Sequence, residues 1–367
     1  MFEENNQIAT EQKYTKKNPG EVEQEFFFPT TRYYGSKKRL LSWISSAVAD
    51  LEFESVLDVF GGTSTVSLLF KSLGKKVFYN DILLSSSLQA RALLSNQSAD
   101  NIENIISDFC SGVIPCNGFI TENFKDVFYT REENEWLDGA INSLEGKRGT
   151  LEYAEIFYCL QQACIQKRPF NLFHRKNLYI RLNNNKDTKF GNWATWERSF
   201  TELMLRAAKE LRSTRWASRF EPVILDSADA LSLTPGYDLV YLDPPYVPTM
   251  RKDISYLERY HFLEGLASPQ SWAEKIDWEK PSRVFRRVEE IDRWNTKSSF
   301  KENLFDLILQ HKNSIVVLSY VEGAHPSLSE LEDFFNKAFS VCVVHNKSLS
   351  HALSSKTKKE LLIIGRP

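Results

Sequence analysis

The stretch Val240-Tyr241-Leu242-Asp243-Pro244-Pro245-Tyr246, VYLDPPY, ends an apolar run on a carboxylate and follows it with two prolines and an aromatic ring. Val240 to Leu242 have the β-branched and aromatic character of a buried core strand, entered behind Gly236. The strand has to stop at Asp243. Proline fixes φ and carries no N–H, so Pro244 and Pro245 cannot extend a ladder and their carbonyls stay free to accept hydrogen bonds. The loop therefore offers acceptors to whatever it holds.

Upstream, residues 55–82 read as strand, loop, helix, strand: SVLDVF, GGTST, VSLLFKSLGK and KVFYND. Apolar strands alternating with a helical segment predict a parallel sheet with crossover helices, an α/β arrangement that places ligands at the C-terminal ends of strands. A second block, EPVILD, SADALSL, YDLVYLDPPY and SIVVLSY, supplies further strands, with a helix over 300–310 before the last. The sheet is thus split in sequence. Between the blocks the text is helix-like, with mixed three- and four-residue apolar spacing predicting helices over 101–109, 131–144, 151–165 and 193–211. A second insertion, residues 247–297, follows the proline loop and carries SRVFRRVEEIDRW.

The chain has 367 residues, enough for two lobes or for one domain with a large insertion. No run approaches the ~20 apolar residues of a membrane helix, which predicts a soluble protein with no membrane partner. The first 25 residues lack the apolar core of a secretory signal and read as a polar lead-in of disordered composition, so a cytoplasmic location is expected. Cys110, Cys116, Cys159, Cys164 and Cys342 are odd in number and irregularly spaced, which predicts buried thiols rather than a disulfide framework. Close cysteine pairs of the structural zinc type are absent, and no metal is expected. A net charge of −2 gives no general argument for a nucleic-acid partner, which has to rest on local patches.

The loop DVFGGTST, Asp58 to Thr65, lies between a strand and a helix, where glycines let the backbone approach a ligand at the helix N-terminus. Such a loop alone is equally a structural turn. Asp81 ends the next strand after Asn80, at about the 20-residue offset from Gly61 where an acidic side chain meets ribose hydroxyls, and the pair favours an adenosine ligand. TRYYGSKKRL, Thr31 to Leu40, puts a tyrosine pair, a glycine turn and cations before the amphipathic LLSWISSAV; it reads as a ligand-closing segment or as a solvated basic helix start. Beside an adenosine site, the Asp243 carboxylate and the Pro244 carbonyl provide two acceptors for an exocyclic amine, with Tyr246 as a stacking surface. An aromatic amine is a poor nucleophile because its lone pair is delocalised; two acceptors on its hydrogens orient that pair and oppose the positive charge that builds during attack. This is an arrangement for methylating a base nitrogen. A base taken from a duplex costs a few kcal/mol to unstack, and stacking on a ring recovers ~1–3 kcal/mol.

At this point the residues resemble the Dam-like N6-adenine DNA methyltransferases, whose motifs run in the alpha order. The resemblance rests on Tyr33, Gly35 and Lys37, on Phe60 and Gly62, on Asn80 and Asp81, on Ala228-Asp229, and on Asp243, Pro244, Pro245 and Tyr246. It implies an α/β, Rossmann-like S-adenosylmethionine-dependent methyltransferase sheet with an inserted, mainly helical target-recognition domain. The implied organisation is the lead-in over 1–28, a catalytic cofactor-binding domain over 29–90 and 221–367, and the target-recognition domain over 91–220. It implies S-adenosyl-L-methionine as cofactor, held by Tyr33, Lys37, Asp58, Phe60, Gly61, Gly62, Asp81, Asp229 and Asp243, with catalysis at Asp243, Pro244, Pro245 and Tyr246. Double-stranded DNA is the implied partner, with a cognate restriction endonuclease beside it or with the enzyme acting as a solitary methylase. In the family's usual Phe-x-Gly-x-Gly loop the second glycine position holds Ser64 here, which bears on cofactor affinity.

For DNA contact, residues 166–190 interleave Lys167, Arg168, His174, Arg175, Lys176, Arg181, Lys186 and Lys189 with aromatics and asparagines, among them Asn171 and Asn177. Cations neutralise phosphates, and Arg and Asn reach base edges. The competing reading is a solvated surface loop. Arg283, Arg286, Arg287 and Arg293 form a second basic patch, read as a strand-separating or phosphate-clamping element or as an ordinary charged helix, since Glu289 and Glu290 are mixed into it. An RNA adenine methyltransferase and a DNA-binding protein without turnover stay open as alternatives; protein glutamine methylation is disfavoured because that chemistry carries asparagine where Asp243 stands.

Overall fold

In the computed structural model, the residues described are 13–16, 24–30, 35–182, 193–248, 255–351 and 354–367. The central sheet has seven strands: β1 (Ser55–Asp58), β2 (Lys76–Tyr79), β3 (Val223–Ile224), β4 (Leu239–Leu242), β5 (Ile315–Val321), β6 (Val341–His351) and β7 (Ser354–Arg366). Their spatial order is β6-β7-β5-β4-β1-β2-β3. The run from β3 to β5 is parallel, and β7 is antiparallel to both of its neighbours. The strand order reverses between β1 and β4, which opens a crevice beyond their carboxyl ends.

Every residue of β4 is buried, which is why its sequence is an unbroken apolar run. Leu239 and Tyr241 pack on one face of the sheet, and Val240 and Leu242 on the other. The β1–β4 register is held at its start by Asp238, whose Oδ2 accepts from the N–H groups of Glu54 and Ser55 at 3.0 and 2.8 Å. This sets Val56 opposite Leu239. Helices α1 (Leu41–Val48), α2 (Thr65–Ser72) and α3 (Leu84–Leu94) bury their apolar residues on the Leu239 side.

Between α3 and β3 the chain is helical, with α4 (Ile102–Gly112), α5 (Arg131–Leu144), α6 (Leu151–Gln166) and α7 (Phe200–Thr214). Thr130 and Ser199 start α5 and α7 with capping boxes through Glu133 and Glu202. Where the apolar spacing predicts one helix over 193–211, the Ser199 cap divides it into Trp193–Trp196 and α7. The lobe closes at a neck: Asn96 Nδ2 donates to Ser218 O and Phe220 O at 3.0 and 3.1 Å, and Ser218 N–H donates back to Asn96 Oδ1 at 3.0 Å. The carbonyls that end α3 are capped from both sides, Leu94 by Lys71 at 2.7 Å and Ala92 by Arg215. Arg215 also pairs with buried Glu155 of α6 at 2.5 Å.

After the proline loop comes α8 (Tyr256–Ala267); α9 (Lys297–Gln310) and α10 (Leu328–Ala338) then cover the Val240 side of the sheet. Several expectations are corrected here. SADALSL forms no strand: Ser232 N–H turns back to Asp229 O at 2.9 Å and gives a 3-10 turn over Ala230–Ser232. The patch at 283–293 is no continuous helix but a hairpin-like turn, with Ile276 bridging Phe285, followed by a short helix, Glu289–Asp292. Within the lead-in, Lys13–Lys16 pairs with Gln24–Phe27 as an antiparallel hairpin, and Phe26 is buried against the Trp216 ring. The β6–β7 hairpin was not anticipated. Cys110, Cys159 and Cys164 are buried free thiols, whereas Cys116 and Cys342 are only half-buried.

Candidate active site

A cavity of about 840 Å³, its open mouth included, lies at the reversal of strand order. Its wall is drawn from both sequence blocks: Lys37, Asp58, Phe60, Gly61, Gly62 and Asp81 upstream, Asp243 and Pro245 downstream. The glycine loop is held by the strand end beside it. Gly61 N–H donates to Asn80 O at 2.8 Å, Gly62 N–H to Asp81 Oδ2 at 2.9 Å, and Tyr79 Oη to Gly62 O at 2.8 Å. A Cβ on Gly61 would overlap the Tyr79 ring, so only glycine fits there. Ser64 is fully buried outside the cavity wall at φ 62°, a left-handed conformation that glycine takes without strain. Its side chain thus leaves the loop's ligand face clear, and the cost falls on the backbone.

Two carboxyls in the wall are pushed toward their neutral forms. Burial raises Asp58 to about 7, against the hydrogen bond from Ser67 Oγ at 2.6 Å and with help from Asp243 and Asp81. Burial likewise raises Asp81 to about 6, although the N–H groups of Leu83 and Gly62 both donate to it.

At the end of β4, Asp243 receives Lys37 Nζ at 2.8 Å on Oδ2 and Tyr246 Oη at 2.9 Å on Oδ1. Lys37 is buried; that opposes its charge, but the neighbouring Asp243 outweighs burial and raises the ammonium above its usual range. The Tyr246 ring lies under Lys37, 5.0 Å from Nζ, with Tyr320 edge-on at 5.6 Å. Pro244 is buried and, like Tyr246, stands behind the wall rather than in it. Tyr33 lies outside the described residues.

Asp229 is placed differently from the expectation. Its carboxylate accepts from Arg293 Nη1 at 3.1 Å and from Trp294 Nε1 at 3.2 Å, and it is Trp294, edge-on to Phe60 at 5.0 Å, that lines the cavity. Trp294, Ile291 and Asn295 from the second insertion and Tyr256 from α8 are wall residues that the sequence reading missed. The aromatic in DRW was their one visible signal.

The basic segment of the lobe also divides. Arg168 is 1% exposed and lies over the Phe128 ring at 4.1 Å, so it is interior rather than presented to a duplex. Arg181 and Lys167 both pair with Glu133, at 2.7 and 2.9 Å, and Asn177 is buried on Pro169 O. Burial works against the Glu133 charge, but Arg181 and Lys167 outweigh it and hold the carboxyl below its usual range. These four cannot serve as exposed DNA contacts in this conformation, because the lobe's own interior encloses their side chains. Arg175 and Lys176 are exposed, and His174 is half-buried. Asn171 sits in a 3-10 turn, Pro169–Asn171, and Lys186 and Lys189 lie outside the described residues.

Comparison with known proteins decides the family. The profile of the D12 class N6 adenine-specific DNA methyltransferases matches residues 33–271, which takes in the glycine loop, Asp81 and the Asp243 loop. The chain belongs to that family. The methyltransferase is similar to the type II methyltransferase M2.HphI of Haemophilus parahaemolyticus, 27% identical over 252 residues that cover 66% of this chain and 72% of that enzyme. It is also similar to the modification methylase StsI of Streptococcus sanguinis, 26% identical over 334 residues, 84% of this chain but 46% of that methylase, so the match spans about half of the longer protein. An adenine-specific DNA methyltransferase takes a methyl donor and DNA as its two substrates, and the seven-stranded sheet is its α/β catalytic core. Among the described residues no helix is long and apolar enough to cross a membrane, and no cluster of His, Cys, Asp and Glu is arranged for a metal ion.

Proposed function

We propose that this methyltransferase moves a methyl group from S-adenosyl-L-methionine to N6 of an adenine flipped out of duplex DNA, at one short site, in the cytoplasm. The observation that carries this reading is the sharing of one cavity by the Asp243-Pro245 end of β4 and by Gly61, Gly62 and Asp81. The residues fit the cofactor: the cavity is of ligand size, the loop backbone is open to it, and the carboxyls of Asp58 and Asp81 face a molecule that carries cationic and ribose groups. When bound, S-adenosylmethionine supplies a methyl carbon activated by the adjoining sulfonium.

The chain's own residues handle the base. Lys37 holds one Asp243 carboxylate oxygen in place, and Tyr246 fixes the other. An incoming N6 amine donates a hydrogen to Asp243, the acceptor that lines the cavity, which aims its lone pair out of the ring plane. The methyl group that the bound cofactor would supply would pass to N6, and the Asp243 carboxylate would be the first acceptor for the proton lost from N6. The helical lobe over 91–220 is assigned to target recognition. The names of both relatives, a type II methyltransferase and a modification methylase, support a place beside a cognate restriction endonuclease.

The test is transfer of labelled methyl from S-adenosylmethionine to unmethylated DNA, with nucleoside digestion and mapping, for wild type and Asp243→Ala. N6-methyladenine confined to one motif in the wild type, and none in the variant, is expected. Full activity of the variant, or label in RNA or protein instead, overturns the assignment.

A further inference from the structure

The cations that this function leaves unused gather where the two insertions meet. In the first, the loop over 172–176 is fastened on several sides. Phe173 N–H donates to Arg259 O at 2.9 Å, Phe173 O is bonded to His261 Nε2 at 3.0 Å, and Arg168 Nη2 donates to Leu172 O and Arg175 O at 2.7 and 2.9 Å. Buried Arg168 therefore acts as an internal brace for a loop whose tip carries exposed Arg175 and Lys176. Ser282 Oγ donates to His174 O at 3.2 Å and joins this loop to the second insertion.

There, residues 275–287 double back on themselves, with Asp277 N–H on Val284 O at 2.8 Å and Arg286 N–H on Lys275 O at 2.7 Å. Arg286 and Arg287 are exposed at the end of this turn. Among the described residues, Arg175, Lys176 and Arg286 have no carboxylate within ion-pair distance, and Arg287 has only Asp292 at 3.8 Å. Acidic Asp277 and Glu279 on the same turn, and Glu289 and Glu290 just after it, form no ion pair with them. The field beside the loop is positive: burial, then Arg175, Arg259 and Arg168, lowers His174 to about 4, so it is neutral at physiological pH.

The two halves of this surface are fixed relative to the chemistry by one helix. Tyr256 at the start of α8 lines the cavity, and Arg259 and His261, three and five residues on, hold the loop. Five helical residues span about 8 Å, so the exposed cations stand at a set offset from Asp243. Unpaired cations on a rigid frame repel one another and gain most from a polyanion. We infer that Arg175 and Lys176 of the first insertion and Arg286 and Arg287 of the second form one ridge that binds the phosphates of the substrate duplex without reading its sequence. The ridge rests on the DNA methyltransferase reading and adds to it that the second insertion is part of the DNA interface.

Anisotropy of a labelled mixed-sequence duplex, measured with full-length protein over a salt series, tests this. Each phosphate contact removed lowers the slope of log K against log salt by about 0.9, so Arg286→Gln/Arg287→Gln and Arg175→Gln/Lys176→Gln should each lower it by about 1.8. The loss should be equal on duplexes with and without a methylatable site. Arg286→Lys/Arg287→Lys, which keeps the charge, should restore the slope, and Lys312→Gln/Lys337→Gln should leave it at the wild-type value. Calorimetric binding of S-adenosylhomocysteine confirms that each variant is folded. A wild type that methylates DNA alongside an R286Q/R287Q protein of unchanged slope overturns the ridge alone; a wild type that neither binds nor methylates duplex overturns the function and the ridge together.

Discussion

Replacing Asp58 by asparagine should stabilise the protein, and the gain should depend on pH. Asp58 is 1% exposed and lies at the C-terminal end of β1, where burial raises its carboxyl from 3.8 to about 7. Between those two values the folded protein binds a proton that the unfolded chain has released, so folding stability falls as pH rises through the interval and the full penalty stands above it. Three pH units at about 1.4 kcal/mol each set a ceiling of about 4 kcal/mol. Asparagine keeps an acceptor for Ser67 Oγ and cannot ionise. Urea denaturation of wild type and Asp58→Asn in parallel, from about pH 4 to about pH 8, should show a difference near zero in acid that grows toward that ceiling at the alkaline end. A difference that is flat with pH, or that grows on acidification, would show that the buried carboxyl is not the source.

Three further outcomes are expected. Ser64→Gly should raise stability by about 1 kcal/mol, because it removes a Cβ from the left-handed conformation at φ 62°; denaturant midpoints report it, and a loss of stability would mean that the buried side chain matters more than the backbone. Asp229→Ala frees the Trp294 indole and should weaken S-adenosylhomocysteine binding about tenfold in calorimetry, the equivalent of about 1.4 kcal/mol, while unchanged affinity would mean that Trp294 holds its place without the carboxylate. Glu133→Gln leaves Lys167 and Arg181 buried without their shared counter-charge and should cost about 3 kcal/mol in urea denaturation; a cost under a third of that would place solvent at the pair.

The parts of this protein that the sequence shows best are those fixed by local chemistry. An apolar run cut by Asp243-Pro244-Pro245 reads as a strand leaving a sheet, and the β1 glycine loop with Asp81 lies in a βαβ unit with a short crossover. Burial of a charged side chain is not local. Arg168 and Arg181 look no different in sequence from Arg175, and only the folded lobe shows that Phe128 and Glu133 lie against the first two while the third is exposed. Asp229 teaches the same point in reverse: its position near the cavity was legible, but its partners Arg293 and Trp294 arrive from 64 and 65 residues downstream. The β6–β7 hairpin was hidden by its lysine-rich, irregular alternation, and its place in the sheet is settled by pairing with β5.

The target-recognition role proposed for the helical lobe gives its neck a bearing on how such an enzyme could change its target. Asn96, which follows α3, bonds Ser218 and Phe220, which precede β3, so the lobe leaves the sheet and returns to it at one place. An excursion of that shape can be replaced without moving β1 or β4, provided that the replacement also begins and ends at the neck. The graft point, however, lies earlier than the neck. Gln89 of α3 shares buried amide bonds with Gln161 and Gln162 of α6, and Ala92 carries Arg215. A working exchange of specificity between relatives would therefore have to transplant α3 with the lobe, since a cut at Asn96 would leave two halves of a polar cluster facing strangers.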